Sequence, residues 1–190
     1  MTMLGGVFGK PDVAARYRRY FDDTLERVAA PLKTVPVPSR PTVLYFHPGS
    51  LTQPRLIAEW WIPAAGGVSV TNDGRAAESR SFSLEQVIRW DPDILIVTGP
   101  KDVELVKTDP IFMRLKAVRQ SRVYVVPVGA HTWANRTAEQ PLTVLWAAKT
   151  FHAQRFATID LAAEAKAFYR EFFGHELTDA QVAEMLSGQL

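Results

Sequence analysis

The feature that most constrains the fold is a helix followed at once by a buried strand, over residues 83–97. Ser83 and Gln86 have the spacing of a capping box, which begins a helix. Pro92 disfavours helical backbone at the residue before it, so the helix has to end there. The apolar run Ile94–Val97 is typical of a parallel strand that is covered on both faces. This order indicates a doubly wound α/β unit, in which ligands lie at the carboxyl ends of the strands.

The composition excludes several classes of protein. A chain of 190 residues is long enough for one domain with a substantial core. Its net charge of +2 is too small to favour nucleic acid or an anionic membrane as the partner. Without cysteine it forms neither disulfides nor thiolate metal sites. The first residues lack the charged and apolar segments of a signal peptide, and no apolar stretch approaches the length of a membrane span.

Hydrophobic periodicity and turn residues predict the other elements. A Gly-rich, frayed start over residues 1–10 precedes an amphipathic helix over residues 11–30. Four prolines in residues 31–41 indicate an extended linker. We predict strands over residues 42–46, 68–70 and 122–126, a helix over 53–61, a polar loop over 71–81, broken short helices over 101–115, and C-terminal helices over 139–151, 160–174 and from 178 onward.

These elements predict a three-layer α/β fold: a mostly parallel sheet of four or five strands with helices on both faces, forming a single Rossmann-like lobe. We divide the chain into an N-terminal helix with its Pro-rich linker, residues 1–41, and an α/β lobe, residues 42–190.

Spacing tests find no catalytic or metal-binding signature. The four histidines are isolated, without the spacing that places two metal ligands on one helix face. Ser50 does not lie in a nucleophile elbow, and the paired glycines match no phosphate-binding loop. We therefore expect no enzyme, no metal site and no cofactor.

The loops that follow strands carry the candidate ligand-binding residues. After the strand at 122–126 come His131, Trp133, Asn135 and Arg136, which suit a polar or anionic ligand. The alternative, equally open, is that Trp133 packs against the next helix while Arg136 pairs with a nearby glutamate, Glu139 or Glu104.

Other candidates occupy corresponding places. Gln53, Arg55 and Trp61 follow the first strand, and Lys101 follows the central strand. Glu139 begins a helix, where the helix dipole alone favours a carboxylate, but it is also a candidate for contact with a partner protein.

The combined order of motifs resembles a known family. Its parts are the central stretch at 83–97, a segment from Leu115 to Pro127, the motif Trp133-x-x-Arg136-x-x-Glu139, the helix at 142–149 and the ending at 168–174. Together they resemble the C-terminal lobe of ABC-importer substrate-binding proteins of the helical-backbone kind, which serve ferric siderophores, haem, cobalamin and related metal chelates. Relatives that carry molybdate or tungstate have a similar Trp-x-x-Arg-x-x-Glu loop, so that ligand class stays open.

The resemblance implies a two-lobed protein that holds its ligand in a cleft and does no chemistry on it. This chain matches one lobe, with residues 1–41 as a remnant of the connection between lobes. We expect either a piece cut from a longer protein or a reading frame that begins late. One lobe buries only one side of a ligand, so we expect weak or undetectable binding by this chain alone.

The family also implies partners and a location. Acidic residues of each lobe dock on the membrane permease. By its position Glu139 is the candidate for this contact. In an alternative alignment, Asn135 occupies the position at which other family members have the acidic residue. The compartment implied is periplasmic or extracytoplasmic, associated with the membrane. A face left bare by the absent lobe could form a dimer. The alternative function is a stand-alone α/β domain that binds a small molecule or acts as an enzyme.

Overall fold

The computed structural model describes residues 2–53, 59–72 and 80–189. In this part of the chain the α-helices are α1 (Thr2–Val7), α2 (Pro11–Leu32), α3 (Trp61–Ala64), α4 (Leu84–Trp90), α5 (Pro100–Thr108), α6 (Lys116–Arg119), α7 (Gln140–Phe151), α8 (Leu161–Phe168) and α9 (Asp179–Ser187). The strands are β1 (Thr42–Tyr45), β2 (Thr52–Gln53), β3 (Val68–Ser69), β4 (Arg80–Ser81), β5 (Ile94–Val97) and β6 (Val123–Val125).

Four of the strands form a parallel sheet in the order β3-β1-β5-β6. The register places Leu44 beside Leu95, and Leu95 beside Val123. β3, which follows β1 in the chain, lies on one side of β1, and β5 lies on its other side. The strand order therefore reverses direction between β1 and β5. A doubly wound sheet leaves a crevice at such a point, above the carboxyl ends of the two strands. The predicted three-layer α/β fold with a parallel sheet is confirmed.

Helices cover both faces of the sheet. One face packs against α2, α3, α7 and α8, and its central strand side chains are Val43, Tyr45, Ile94 and Ile96. The opposite face packs against α4, α5 and α6 and carries Leu44, Phe46, Leu95 and Val97. All eight side chains are buried, as the apolar run at residues 94–97 predicts for a strand covered twice.

The central helix and its ending match the sequence prediction. Ser83 accepts the backbone N–H of Gln86, and the Gln86 side chain accepts the backbone N–H of Ser83, which completes the capping box. The helix ends at Asp91, whose backbone is left-handed (φ 36°). Its carboxylate accepts the backbone N–H of Lys116 at 2.7 Å, which ties this turn to the start of α6.

The structure differs from prediction at the N-terminus. Residues 2–7 are helical rather than frayed, because α1 packs on α2. The two helices approach closely at Gly5, where an added Cβ would lie 2.5 Å from the Cβ of Ala14. Gly9, at φ +61°, makes the turn between them.

The division at residue 41 does not separate two cores. Val28 and Leu32 of α2, together with Val35 of the predicted linker, belong to the same hydrophobic cluster as the sheet. The extended linker is itself interrupted, because α2 continues through Pro31 and a 3-10 turn forms at Val37–Ser39.

The prediction fails between β1 and α3. Thr52 and Gln53 form an antiparallel strand pair with Arg80 and Ser81, so a helix does not begin at residue 53. The predicted polar loop over 71–81 likewise ends in a strand at Arg80–Ser81. Residues 54–58 and 73–79, the remainder of those two predictions, lie outside the described residues.

The later elements follow the predicted order. β6 is shorter than predicted and only half-buried, because it is an edge strand of the sheet. Asp160 caps α8 through the backbone N–H groups of Ala162 and Ala163. Thr178 and Gln181 form the second predicted capping box, at α9.

Asp93 connects three elements at the amino edge of the sheet. Its carboxylate accepts the backbone N–H and hydroxyl of Thr42 at 2.8 and 2.9 Å and the ammonium of Lys116 at 2.5 Å. Burial by itself would raise the pKa of Asp93, but the bonds from Lys116 and Thr42 outweigh it and hold the pKa below the ordinary value of 3.8. The ionised form is therefore favoured in the folded state.

The loop after β6 is held by a buried carboxylate. Glu139 is fully buried, and its Oε1 accepts the indole N–H of Trp133 at 2.9 Å and the hydroxyl of Tyr169 at 2.5 Å. The backbone N–H groups of Ala130 and His131 donate to its two oxygens at 3.3 and 3.2 Å. Four donors thus offset the cost of burying the carboxylate, which fixes the loop against Tyr169 and the start of α7.

Gly129 is required by the same arrangement. A Cβ at this position would overlap the Glu139 carboxylate and the Tyr169 hydroxyl. Burial, followed by the adjacent Glu139, raises the pKa of Tyr169 well above its ordinary value, so the phenol remains a neutral donor at every physiological pH.

We expect Asp93→Asn to lower the free energy of unfolding by roughly 1–3 kcal/mol at pH 7, because it removes a bonded, partly buried carboxylate. A depressed pKa contributes stability that is present above the unfolded pKa and lost as pH falls through the folded value. The difference between the variant and the parent chain should therefore shrink below about pH 4. Urea unfolding from pH 7 to pH 3 measures it.

The matched control is Asp179→Asn, because Asp179 also pairs with a lysine, Lys166, but its side chain is 96% exposed. We expect little or no change in the free energy of unfolding for this variant, because water screens an exposed ion pair. Equal losses for the two variants would contradict the role given to Asp93.

We expect Glu139→Ala to lower the free energy of unfolding by roughly 3–5 kcal/mol, because it leaves the indole of Trp133, the hydroxyl of Tyr169 and the backbone N–H of His131 without an acceptor. Glu139→Gln keeps one acceptor oxygen but sets an amide against a backbone donor, so the expected loss is about 1–3 kcal/mol. Urea unfolding followed by tryptophan fluorescence measures both. An exposed control, Glu176→Gln, should change stability by less than about 1 kcal/mol, and an unchanged Glu139→Ala would refute the assignment.

Candidate ligand-binding site

The carboxyl edge of the sheet collects polar side chains from β1, β5 and the loop after β6. His47 comes two residues after the end of β1, and Thr98 comes directly after β5. Because β1 and β5 are neighbours, these residues lie at the crevice between the diverging connections. The edge is therefore the candidate ligand-binding site.

A chain of hydrogen bonds crosses this crevice. The hydroxyl of Thr98 donates to Oδ2 of Asp102 at 2.7 Å and lies 3.2 Å from Nδ1 of His47. The backbone N–H of Thr98 donates to the same carboxylate oxygen at 3.2 Å. The chain links the end of β1 to the first turn of α5.

Beside this chain a cavity of about 540 Å³ opens between the β5–α5 loop and the loop after β6. Its lining comes from three parts of the fold: Thr98, Gly99, Pro100, Lys101 and Asp102 at the start of α5, Val128 and Thr132 after β6, and Gly188 and Gln189 at the C-terminal end. Lys101 is exposed here, and its contact with a ligand stays a prediction.

The loop after β6 presents three of the predicted residues together. His131 and Arg136 are exposed and Asn135 is half-buried. The Asn135 amide nitrogen lies 3.3 Å from Nδ1 of His131, which also accepts the backbone N–H of Thr132 at 2.7 Å. Polar groups of this loop thus face the outside, held by the buried Glu139.

Arg136 borders a separate cavity of about 540 Å³, against the first half of α2. The other charged groups of its lining are Arg18 and Asp22, which pair at 3.6 Å. Arg136 has no carboxylate partner among the described residues, so the alternative in which it pairs with Glu139 or Glu104 is not what the structure shows. Its guanidinium remains available to an anion.

Two predicted ligand contacts lie in the interior instead. Trp133 is fully buried and donates its indole N–H to Glu139, which agrees with the packing alternative. Trp61 is 1% exposed and packs among Tyr45, Trp146 and Phe151. In these positions both rings support the site from the core rather than offering their surface to a ligand.

The remaining predicted residues follow β1. Gln53 lies in β2, in the strand pair next to the His47 turn. Arg55 lies outside the described residues. Contact of either with a ligand stays a prediction.

Glu139 lies where docking on another protein would not reach it. Its carboxylate is fully buried and both of its oxygens accept bonds from within the chain. The structure thus favours a positioning role for Glu139 over the predicted permease contact.

Sequence reasoning missed His47, Thr98 and Asp102. His47 and Thr98 are 51 residues apart, so spacing along the chain gives no sign of their contact. The available signal was positional: both follow predicted strands, and parallel neighbours bring their ends together.

Over residues 2–53, 59–72 and 80–189, none of the helices has both the length and the apolar character needed to cross a bilayer. Within the same ranges, no three histidine or acidic side chains are grouped so as to hold a metal ion.

Comparison with known proteins gives a family and a set of folds. The family model described as periplasmic binding protein matches residues 1–128. The periplasmic solute binding protein from Veillonella parvula DSM 2008 is 27% identical, with a TM-score of 0.85 over 97% of this chain and 58% of that one. The ABC transporter solute binding protein from Sulfurospirillum deleyianum DSM 6946 is 26% identical, with a TM-score of 0.85 over 97% of this chain and 59% of that one.

A third structure shows likeness in fold alone. The molybdate periplasmic binding protein MolA of Haemophilus influenzae, bound to molybdate, is 21% identical, with a TM-score of 0.81 over 93% of this chain and 55% of that one. No curated protein matches the chain. The chain spans less than two thirds of the length of these solved relatives. Because the family model covers well over half of it, the chain belongs to the periplasmic binding protein family.

Proposed function

We propose that this chain forms one side of the ligand site of an ABC-importer substrate-binding protein, and that the ligand presents anionic groups to this side. The ligand classes are a metal chelate, such as a ferric siderophore, haem or cobalamin, and a metal oxyanion, such as molybdate or tungstate. The ligand lies at the carboxyl edge of the sheet, above the β1–β5 crevice.

One observation carries this proposal. Lys101 and Arg136 are both exposed, Lys101 at the cavity beside the crevice and Arg136 on the loop after β6, and neither has a carboxylate partner among the described residues. Cations that nearby acids do not neutralise attract an anion and form charge-assisted bonds with it. The loop that carries Arg136 also bears the polar side chains of His131 and Asn135, which would set the orientation of the ligand.

The mechanism proposed is capture without chemistry. A fixed edge binds one side of the ligand, and a second protein surface has to cover the other side, because an open edge buries too little of it for tight binding. We expect closure of the two surfaces to trap the ligand and delivery to a membrane permease to follow.

The compartment and partners belong to the same proposal. A permease of an ABC importer is the membrane partner, and the protein acts outside the cytoplasm. Because Glu139 is buried, it would contribute to permease docking only indirectly, by holding the loop after β6 in place. The comparisons lend no support to the predicted dimer.

We expect anionic ligands to perturb the amide resonances of residues 98–102 and 129–136 in NMR titrations of this chain with sodium molybdate and, separately, ferric enterobactin. Affinity should be weak, because the chain supplies one surface. For whichever ligand binds, Lys101→Glu and Arg136→Glu should each raise Kd by roughly tenfold or more, the effect of losing one charge-assisted bond.

Lys107→Glu provides the matched control, because it makes the same charge change at an exposed residue of the same helix, α5. We expect its Kd to stay within about twofold of the parent value, since the charge is remote and screened. The proposal fails if neither ligand perturbs these loops, or if Lys107→Glu weakens binding as much as Lys101→Glu.

A further inference from the structure

Hydrogen bonds determine which ring nitrogen carries the proton in two histidines of the candidate site. In His131 the backbone N–H of Thr132 donates to Nδ1 at 2.7 Å. A backbone N–H can only donate, so Nδ1 holds a lone pair and the proton of the neutral ring is on Nε2. His131 thus offers a donor at its outer nitrogen.

In His47 the assignment is reversed. Thr98 has one hydroxyl proton, which goes to Oδ2 of Asp102 at 2.7 Å. The same carboxylate oxygen accepts the backbone N–H of Thr98, which fixes it as an acceptor. The Thr98 oxygen therefore accepts from Nδ1 of His47 at 3.2 Å, and the neutral ring keeps its lone pair on Nε2.

We propose that His47 is a specificity-determining residue of the candidate site, and that its unprotonated Nε2 binds an electron-pair acceptor carried by the ligand. The acceptor is either a metal ion with an open coordination position or the hydrogen of an O–H or N–H group. This inference rests on the proposed function, because it assumes that the ligand lies at the carboxyl edge.

The place of His47 supports this role. The residue is partly exposed at the β1–β5 crevice, and the structure shows no partner for Nε2 within residues 2–53, 59–72 and 80–189. A proton fixed on one ring nitrogen by a hydrogen bond leaves the other nitrogen as a directed ligand, the usual arrangement for metal-binding histidines.

The described residues limit what kind of metal this could be. They contain no cluster of three side chains able to hold a metal ion. A metal bound by His47 would thus arrive in a chelate that supplies its other ligands. His47 and His131 would also orient an asymmetric ligand. The edge offers an acceptor, Nε2 of His47, on the β1 side and a donor, the Nε2–H of His131, on the β6 side, so it distinguishes the two ends of such a ligand.

The tautomers are tested first, by long-range ¹H–¹⁵N NMR of the imidazoles in the full chain at a pH where the rings are neutral. We expect His47 to show a protonated Nδ1 and His131 a protonated Nε2. Thr98→Val removes the hydroxyl acceptor and should return His47 to a mixture dominated by the Nε2–H form, while His131 stays unchanged. Thr108→Val, whose hydroxyl bonds the Glu104 carbonyl, is the matched control and should alter neither ring.

Ligand probes test the second half. Zinc nitrilotriacetate leaves coordination positions open, zinc EDTA fills them, and acetohydroxamic acid offers O–H and N–H donors without a metal. We expect zinc nitrilotriacetate or acetohydroxamic acid to move the Nε2 resonance of His47 at a lower concentration than that of exposed His175, and zinc EDTA to move neither. Thr98→Val should raise the required concentration by roughly tenfold, as loss of an orienting partner does for metal ligands.

Each outcome decides a different part. A response to zinc nitrilotriacetate identifies a metal centre, and a response to acetohydroxamic acid alone identifies a hydrogen-bond donor. A His47 with its proton on Nε2, or an Nε2 that neither probe moves, overturns the inference while the Lys101 and Arg136 titrations still stand. Failure of those titrations removes the proposed function but leaves the tautomer result intact.

Discussion

The parallel pairing of β1 with β5 is the constraint on which the site depends. The two strands are central to the sheet and are buried on both faces, so their positions are set by two separate hydrophobic clusters. Their connections diverge to opposite faces, which leaves the carboxyl ends uncovered. His47 and Thr98, which follow these two strands, therefore reach the crevice from segments far apart in sequence.

The second element of the site is a buried acid rather than an apolar contact. The loop after β6 has no regular structure of its own, and two of its backbone N–H groups converge on Glu139. A carboxylate buried with four donors is costly to disturb, since any movement leaves groups without partners. The loop is consequently held in one conformation, and the exposed side chains of His131, Asn135 and Arg136 project from a rigid base.

How much of this the sequence predicts depends on how local the cause is. Both capping boxes, the stop at Pro92 and the buried strand at Ile94–Val97 follow from neighbouring residues, and the structure has all of them. The error at Gln53 has a non-local cause: its backbone pairs with Arg80, and apolar periodicity cannot predict a partner 27 positions away. Likewise α1 forms because it packs on α2 at Gly5, not because its own residues favour helix.

The candidate site shows the same division. Loops that follow strands are recognisable, so Lys101, His131, Asn135 and Arg136 could be predicted as edge residues from the chain alone. The role of Glu139 could not, because a carboxylate at a helix start suits the dipole, a partner or a buried network equally well. Only the fold brings Tyr169 and Trp133 to the same oxygen of Glu139, and this contact distinguishes the buried network from the other two roles.

The two histidines carry this argument one step further. His47 and His131 have identical side chains at the same edge, yet their neighbours place the proton on opposite ring nitrogens. Thr98 does this by giving its proton to Asp102, and Thr132 by donating from its backbone. A residue type therefore does not state whether a site accepts or donates. The group that forms a hydrogen bond with the histidine ring determines whether the outer nitrogen accepts or donates. Substitutions of these supporting groups should therefore change ligand preference as strongly as substitutions of residues that contact the ligand.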